Sequence, residues 1–288
     1  MNLANIVPIL LSTSCVNGPE GTPKSDFFRF HSRNVFASHS PTDDVPLGSH
    51  NCPGNDMVEI EGEMTIDGPE PVDSVQQKSC KKWGVGDFSS RCLEFDGEKL
   101  QESLEGFPRK DMHFCIDPYE WPNRKGRNPR VMVTWDEAGD LCRTRGKRLC
   151  TEDEWTFSCE GWDTLPYSYG YVRDNTKCNI DKQWRAYDHS LLFPRFTNKS
   201  NAEVLRLWQG NRSGEYKGCV SEFGVYDLDG NVEEWTVSSR PDKYPSILKG
   251  GYWSDVRARC RPAIRTHGPG HAFYQSGFRC CSDPKVSK

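Results

Sequence analysis

The sequence predicts an α+β fold, loop-rich and cross-linked by disulfides. Three observations carry this. Two stretches each open on a Thr-x-x-Glu capping box and close on a glycine, the signature of a short helix. Elsewhere Gly, Pro, Asn and Asp interrupt the chain every few residues, which leaves room only for short strands and long connections. Finally, the chain holds 13 cysteines in 288 residues, at 15, 52, 80, 92, 115, 142, 150, 159, 178, 219, 260, 280 and 281, more than a reducing compartment usually tolerates without metal clusters. Zinc modules need paired Cys-x2-Cys or His-x3-5-His knuckles, and these cysteines lack that spacing, so disulfides explain them better.

Several classes are excluded. No stretch approaches the ~18 consecutive apolar residues that a membrane-spanning helix needs. The 37 basic and 41 acidic residues are interspersed, so no basic stripe exists to neutralise phosphates, and nucleic acid is not an expected partner.

Taken in order, residues 1–15 read as an atypical signal or lipoprotein-like segment. An apolar run at 6–11 leads into Leu11-Ser12-Thr13-Ser14-Cys15, which resembles a bacterial lipoprotein cleavage box, although no Lys or Arg precedes it and Ser12 stands where Leu is usual. An incomplete signal peptide is the rival reading. If Cys15 is lipidated, the expected membrane attachment is through that anchor alone, and the remaining 12 cysteines form an even, fully pairable set. Residues 16–50, rich in Ser, Pro, Gly, Asn, Asp and His, bury too little to order themselves and read as a disordered linker.

One domain is expected over 51–288. Met57-Val58-Glu59-Ile60-Glu61-Gly62 alternates like an edge strand. In the first helix Thr134 caps, Glu137 reaches back, Ala138, Leu141 and Cys142 form the buried stripe and Gly146 ends it. The second repeats the pattern with Thr151, Glu154, a Trp155/Cys159 stripe and Gly161.

Four segments carry a family resemblance: Arg130-Val131-Met132-Val133-Thr134-Trp135-Asp136-Glu137-Ala138; Gly146-Lys147-Arg148-Leu149-Cys150-Thr151-Glu152-Asp153-Glu154-Trp155; Gly224-Val225-Tyr226-Asp227-Leu228-Asp229-Gly230-Asn231-Val232-Glu233-Glu234-Trp235; and Leu248-Lys249-Gly250-Gly251-Tyr252-Trp253 with Gly277-Phe278-Arg279-Cys280. In that order they resemble the formylglycine-generating enzyme (sulfatase-modifying factor) family, over residues 52 to 282. Phe114-Cys115-Ile116-Asp117-Pro118-Tyr119-Glu120-Trp121-Pro122-Asn123 and the Cys280-Cys281 pair suggest an exported bacterial subgroup. The resemblance implies a C-type-lectin-like variant, with two helices on small sheets and a C-terminal half of ordered loops. It also implies an extracytoplasmic location, in the periplasm, at the cell surface or secreted.

Members with oxidase activity convert a sulfatase cysteine to formylglycine using oxygen and a copper ion held by two cysteines, because paired thiolates suit soft Cu(I). Here Tyr252 replaces the family serine after Gly250-Gly251, Asp255 falls where the first copper cysteine would stand, and the second has no counterpart. Copper is therefore not expected, and neither is formylglycine generation by the known mechanism. Cys260 instead matches a structural cysteine. The resemblance implies Cys142–Cys280 and Cys159–Cys260 disulfides, while the other eight cysteines allow 105 pairings that sequence cannot choose among.

The resemblance further implies structural calcium in the turn before Trp235, with Asp227, Asp229, Gly230, Val232 and Glu234 as ligands and Glu234 the main side chain. Oxygen donors of this kind suit a hard cation. Taken alone, the residues read more readily as an Asx-type turn before a core tryptophan. Asn179-Ile180 matches a further family calcium segment. His267 and His271 offer a rival chemistry, since two imidazoles can bind iron or copper. Pro269 with Gly268 and Gly270 forbids the helix that usually presents such a pair and no third ligand is evident, so surface-loop histidines are the expectation. Arg257, Arg259, Arg261 and Arg265 form a basic run that can bind an anion, yet such residues more often pair with acids. Tyr167, Tyr169, Tyr171, Trp208, Trp235, Tyr252, Trp253, Phe273 and Tyr274 serve either a ring-packed core, the favoured reading, or a lectin-like stacking surface.

The functional expectation is a family member without formylglycine-generating activity, a pseudoenzyme acting as a calcium-stabilised module that recognises a peptide, protein or glycan. The alternative is an oxidoreductase of the same fold using a different site.

Overall fold

The computed structural model describes residues 51–86, 90–254 and 257–285, which belong to one compact unit. The expected signal segment with Cys15, the linker at 16–50 and Asp255 lie outside the described residues.

Strand β1 (Val58–Thr65) pairs antiparallel with β4 (Arg109–Ile116) in continuous register from Val58↔Ile116 to Thr65↔Arg109. The alternation seen in the sequence is the cause of its placement: Ile60 and Met64 turn inward while Glu61 and Glu63 face out. β1 is an edge of the first sheet, which continues through β10 (Cys280–Ser282) to β5 (Arg148–Leu149) in the order β1-β4-β10-β5. The last strand of the chain thus lies between elements more than a hundred residues earlier. A second four-stranded sheet has the order β8-β7-β6-β9, from β6 (Glu233–Val237), β7 (Ser246–Lys249), β8 (Ala263–Ile264) and β9 (Ser276–Gly277). A separate hairpin joins β2 (Cys80–Trp83) to β3 (Cys92–Phe95).

Both capping boxes form. Helix α3 (Trp135–Arg143) is capped by Thr134, and α4 (Glu152–Glu160) by Thr151, with Glu137 and Glu154 reciprocating. α4 ends where Gly161 takes φ 64°, a left-handed conformation that favours glycine. The expected Trp155/Cys159 stripe is too narrow for α4. The helix touches strands of both four-stranded sheets, and its acids Glu152, Glu154 and Glu160 are buried too, each paired with an arginine: Arg265, Arg148 and Arg261.

The expectation of two helices is also too few. α1 (Val72–Lys78), α2 (Gly97–Ser103), α5 (His189–Leu192) and α6 (Asn198–Leu207) complete the described set. Two main clusters of buried side chains result. Ile60, Met64, Phe114, Trp155, Phe157 and Leu228 pack between the first sheet and α4, and Val133, Ala138, Leu149, Trp235, Leu248 and Phe278 pack between α3 and the second sheet.

Candidate functional site

The turn that enters β6 is held by backbone conformations few residues adopt: Asp227, Gly230 and Asn231 all have positive φ. Gly230 is required for space as well, because a Cβ there would lie 2.4 Å from the Asn179 carbonyl oxygen. The turn and the 179–180 segment, both read as calcium-type in the sequence, therefore meet. The Asn231 N–H donates to the Asn179 carbonyl at 3.0 Å, and the Asn179 side-chain amide donates to Asn231 Oδ1 at 3.0 Å.

Charge is concentrated beneath this turn. Glu234 and Arg279, at most 1% exposed, form a bidentate pair with Nε–Oε2 at 2.6 Å and Nη2–Oε1 at 2.7 Å, and the Trp155 indole N–H donates to Oε2 at 2.9 Å. Arg279 also donates to the carbonyls of Asp117, Pro118 and Tyr226. Asp227 accepts the Gly214 N–H at 2.6 Å, and Glu120 accepts the Ser213 hydroxyl at 2.6 Å and the Asn231 amide at 2.8 Å. Asp117 pairs with Lys147 at 2.6 Å.

Four buried carboxyl groups thus stand against two buried cations, Lys147 and Arg279. Burial pushes Asp227 up to about 7 and Asp117 up to about 6, and burial with Asp227 alongside holds Glu120 well above the usual carboxylate range. Asp229 is pushed up to about 6 by burial, against the hydrogen bond from Ser168.

Not all the residues assigned to calcium are equally placed for it. Asn179 Oδ1 and Asp229 Oδ1 are buried hard oxygens with no hydrogen-bond donor, the kind of acceptor a cation satisfies. Glu234 already carries Arg279 as its counter-cation. Asp229 also approaches Cys159 and Cys260, but their sulfurs are joined in a disulfide and offer no thiolate. On donor chemistry and surplus negative charge, the set fits a hard divalent ion.

The histidines lie apart from this turn. The rings of His267 and His271 stack at 3.9 Å with 6° between planes, and His271 meets the edge of Trp235. Ring lone pairs lie in the ring plane, so stacked imidazoles do not aim at a shared centre, and among the described residues no third His, Cys or carboxylate joins them. Burial and the neighbouring His267 hold His271 down to about 4.

His271 begins a run of rings. Phe273 stacks against it, Tyr187 meets Phe273 edge-on at 4.8 Å, and Tyr274, Tyr252, Trp253 and Trp208 continue inward. Trp253, Tyr274 and Tyr252 are buried, as the core reading expects, but Trp184 and Tyr187 at the outer end are 50% and 44% exposed. Glu233 sits under these rings. Burial pushes it up to about 8, eased by Gln275, and it acts electrostatically on Tyr274. Sequence reasoning missed Glu120, Glu233, Trp184 and Tyr187. Glu120 and Glu233 lie inside the family-like segments, but a lone acid carries no signal that it will be buried.

All twelve cysteines among the described residues are paired: Cys52–Cys115, Cys80–Cys92, Cys142–Cys280, Cys150–Cys281, Cys159–Cys260 and Cys178–Cys219.

A disulfide-clasped α+β domain with two small sheets and a glycine-pinned acidic turn is the class this architecture defines. Residues 86–284 match the sulfatase-modifying factor enzyme 1-like domain, and the chain belongs to that family. It is 31% identical over 163 residues to the inactive C-alpha-formylglycine-generating enzyme 2 of Bos taurus, covering 54% of this chain and 50% of the relative. The formylglycine-generating enzyme of Mycobacterium tuberculosis is 28% identical over 184 residues, covering 54% and 58%. The chain thus spans about half the length of these relatives. Among solved structures, PvdO from Pseudomonas aeruginosa aligns at TM-score 0.44 and 16% identity, covering 79% of this chain and 94% of that one.

Proposed function

We propose that this chain is a noncatalytic member of its family, an extracytoplasmic, calcium-stabilised module that recognises a peptide or glycan. The observation that carries this is the cysteine inventory: every cysteine among the described residues is consumed by a disulfide, so none of them supplies a thiolate for copper. The bovine relative, itself named inactive, supports the same reading. Six disulfides favour an oxidising compartment, and among the described residues no helix is long and apolar enough to cross a membrane.

The recognition surface is the outer end of the ring run, Trp184, Tyr187 and Phe273, whose faces suit stacking on sugars or peptide side chains. Calcium would be held by oxygens of Asp227, Asp229, Gly230, Val232 and Glu234, with Asn179 and Ile180 serving the adjoining segment. Bound there, it would supply positive charge to a region with surplus buried carboxylates.

Three measurements test this. Incubation with a Cys-x-Pro-x-Arg peptide, copper and oxygen should leave the peptide cysteine unchanged, and oxygen-dependent conversion would overturn the noncatalytic reading. Peptide and glycan arrays should give binding that Trp184→Ala and Tyr187→Ala reduce together. For calcium, a chelator should lower the melting temperature and added calcium restore it, by about 2.7 kcal/mol of stability at a hundredfold excess over Kd. Asn179→Ala and Asp229→Asn should blunt that response. A melting temperature indifferent to both chelator and calcium would remove calcium from the proposal.

A further inference from the structure

Of the arginine run read from the sequence, three members are committed to acids: Arg259 to Asp73, Arg261 to buried Glu160, and Arg265 to Glu152 and Asp242. Arg130, elsewhere in the chain, differs. It is only partly exposed, yet its guanidinium makes no hydrogen bond or ion pair among the described residues. Its nitrogens are not sealed from solvent. Burial lowers it from the ordinary guanidinium value, Glu137 opposes that shift and Arg195 adds to it, although an arginine stays charged throughout. A partly desolvated cation without a partner costs stability, so a local rule is broken here.

Glu137 is already engaged by other donors. Its Oε2 accepts from Arg195 Nη1 at 2.7 Å and from the Thr134 N–H at 2.9 Å, and its Oε1 accepts from Arg195 Nη2 at 2.9 Å. This hold fixes Arg195, which also donates to the Met132 carbonyl at 2.8 Å and lies over the Phe196 ring at 5.0 Å. Arg130 therefore stands beside a like charge, anchored in advance, whose acid is occupied.

The backbone ties both arginines to the ring run. The Met132 N–H donates to the Phe273 carbonyl at 3.1 Å, and the chain passes from Tyr187, edge-on to Phe273, through α5 to Arg195. The segment holding Arg130 also backs β9, the edge of the second sheet: a Cβ on Gly277 would lie 2.8 Å from the Arg130 carbonyl oxygen. That edge is not free to add a peptide strand.

Resting on the recognition surface proposed above and narrowing what it takes, the geometry points to Arg130, beside Arg195, as the docking group for a carboxylate on an acidic glycan of the uronate class, other sugars of which stack on Tyr187 and Trp184. A planar carboxylate matches the guanidinium fork, and the exposed rings take the apolar face of a sugar.

The test titrates trigalacturonate and its methyl ester, which differ in carboxylate charge, by calorimetry at fixed ionic strength. The wild-type chain should bind the acid on the order of tenfold more tightly than the ester. Arg130→Met should remove that difference and leave ester binding unchanged, and Arg130→Lys, which keeps the charge without the fork, should recover part of it. Trp184→Ala should weaken both forms together. Because Arg130 has no partner to strand, Arg130→Met should melt no lower than the wild type, whereas loss of a merely structural arginine would lower the melting temperature. Acid and ester bound equally, with Trp184 still required, would overturn the carboxylate site and leave the ring run as a recognition surface. Acid binding indifferent to both Trp184→Ala and Tyr187→Ala would sink the two together. A triglutamate peptide bound as tightly, with the same dependence on Arg130, would overturn the assignment to a glycan, as would the absence of saturable binding to either sugar.

Discussion

At the scale of single residues, burial has forced charges into arrangements that a surface would not hold. Arg279 is the clearest case: its guanidinium neutralises Glu234 and satisfies three carbonyls in the interior. Arg279→Met should cost about 3–5 kcal/mol in urea unfolding, because Glu234 is left buried without a partner. The double variant Arg279→Met/Glu234→Leu should recover much of that loss, since it removes the stranded charge as well. His271 makes the opposite statement about pH. Its folded-state value, about 4, lies below the ordinary 6.5, so between those limits the unfolded chain binds the proton and the folded chain does not. Its contribution to stability is present above about pH 6.5 and is lost as pH falls toward 4. His271→Phe should flatten that acid limb in melting curves taken across the interval, and an unchanged limb would contradict the assignment.

At the scale of elements, local rules were legible wherever the chain states them locally. Thr134 and Thr151 predict their helices because each cap and its returning glutamate lie within one turn. The helices that were missed lack that box. α1 starts at Pro71 with no side-chain cap, α2 is capped by Asp96 alone and α6 by Thr197 with Ser200 where the returning glutamate would stand. Thr151→Ala should cost about 1 kcal/mol, and a Thr151→Ser variant should keep most of it, as read from thermal melts. The β1 alternation told which face is buried, but not that its partner would be β4, fifty residues on. The same limit applied to the acidic turn. Its glycines mark the bend, yet Glu120 and Arg279 arrive from distant strands and loops, so the charge balance that governs it was invisible.

At the scale of the whole molecule, two bridges run nearly in parallel. Cys142–Cys280 spans 138 residues and Cys150–Cys281 spans 131, so with either one closed the other clasps only a short remaining ring. Chain entropy then makes them redundant: removing either alone should cost about 2–3 kcal/mol, and removing both about 7–8 kcal/mol. Paired Cys→Ala variants followed by denaturant unfolding check this. Costs that simply add would mean that strain or unfolded-state structure, rather than loop closure, sets the stabilisation.

The sequence by itself determined the family, the α+β class, the two boxed helices and the oxidised character, because each is written in residue types at short spacing. Only the tertiary structure decided which of the other eight cysteines pair, that α4 is buried on nearly every side, that Arg259, Arg261 and Arg265 of the arginine run enter ion pairs, and that two imidazoles stack instead of converging. Those outcomes depend on which distant segments meet, and short-range pattern carries no record of a contact between residues a hundred positions apart.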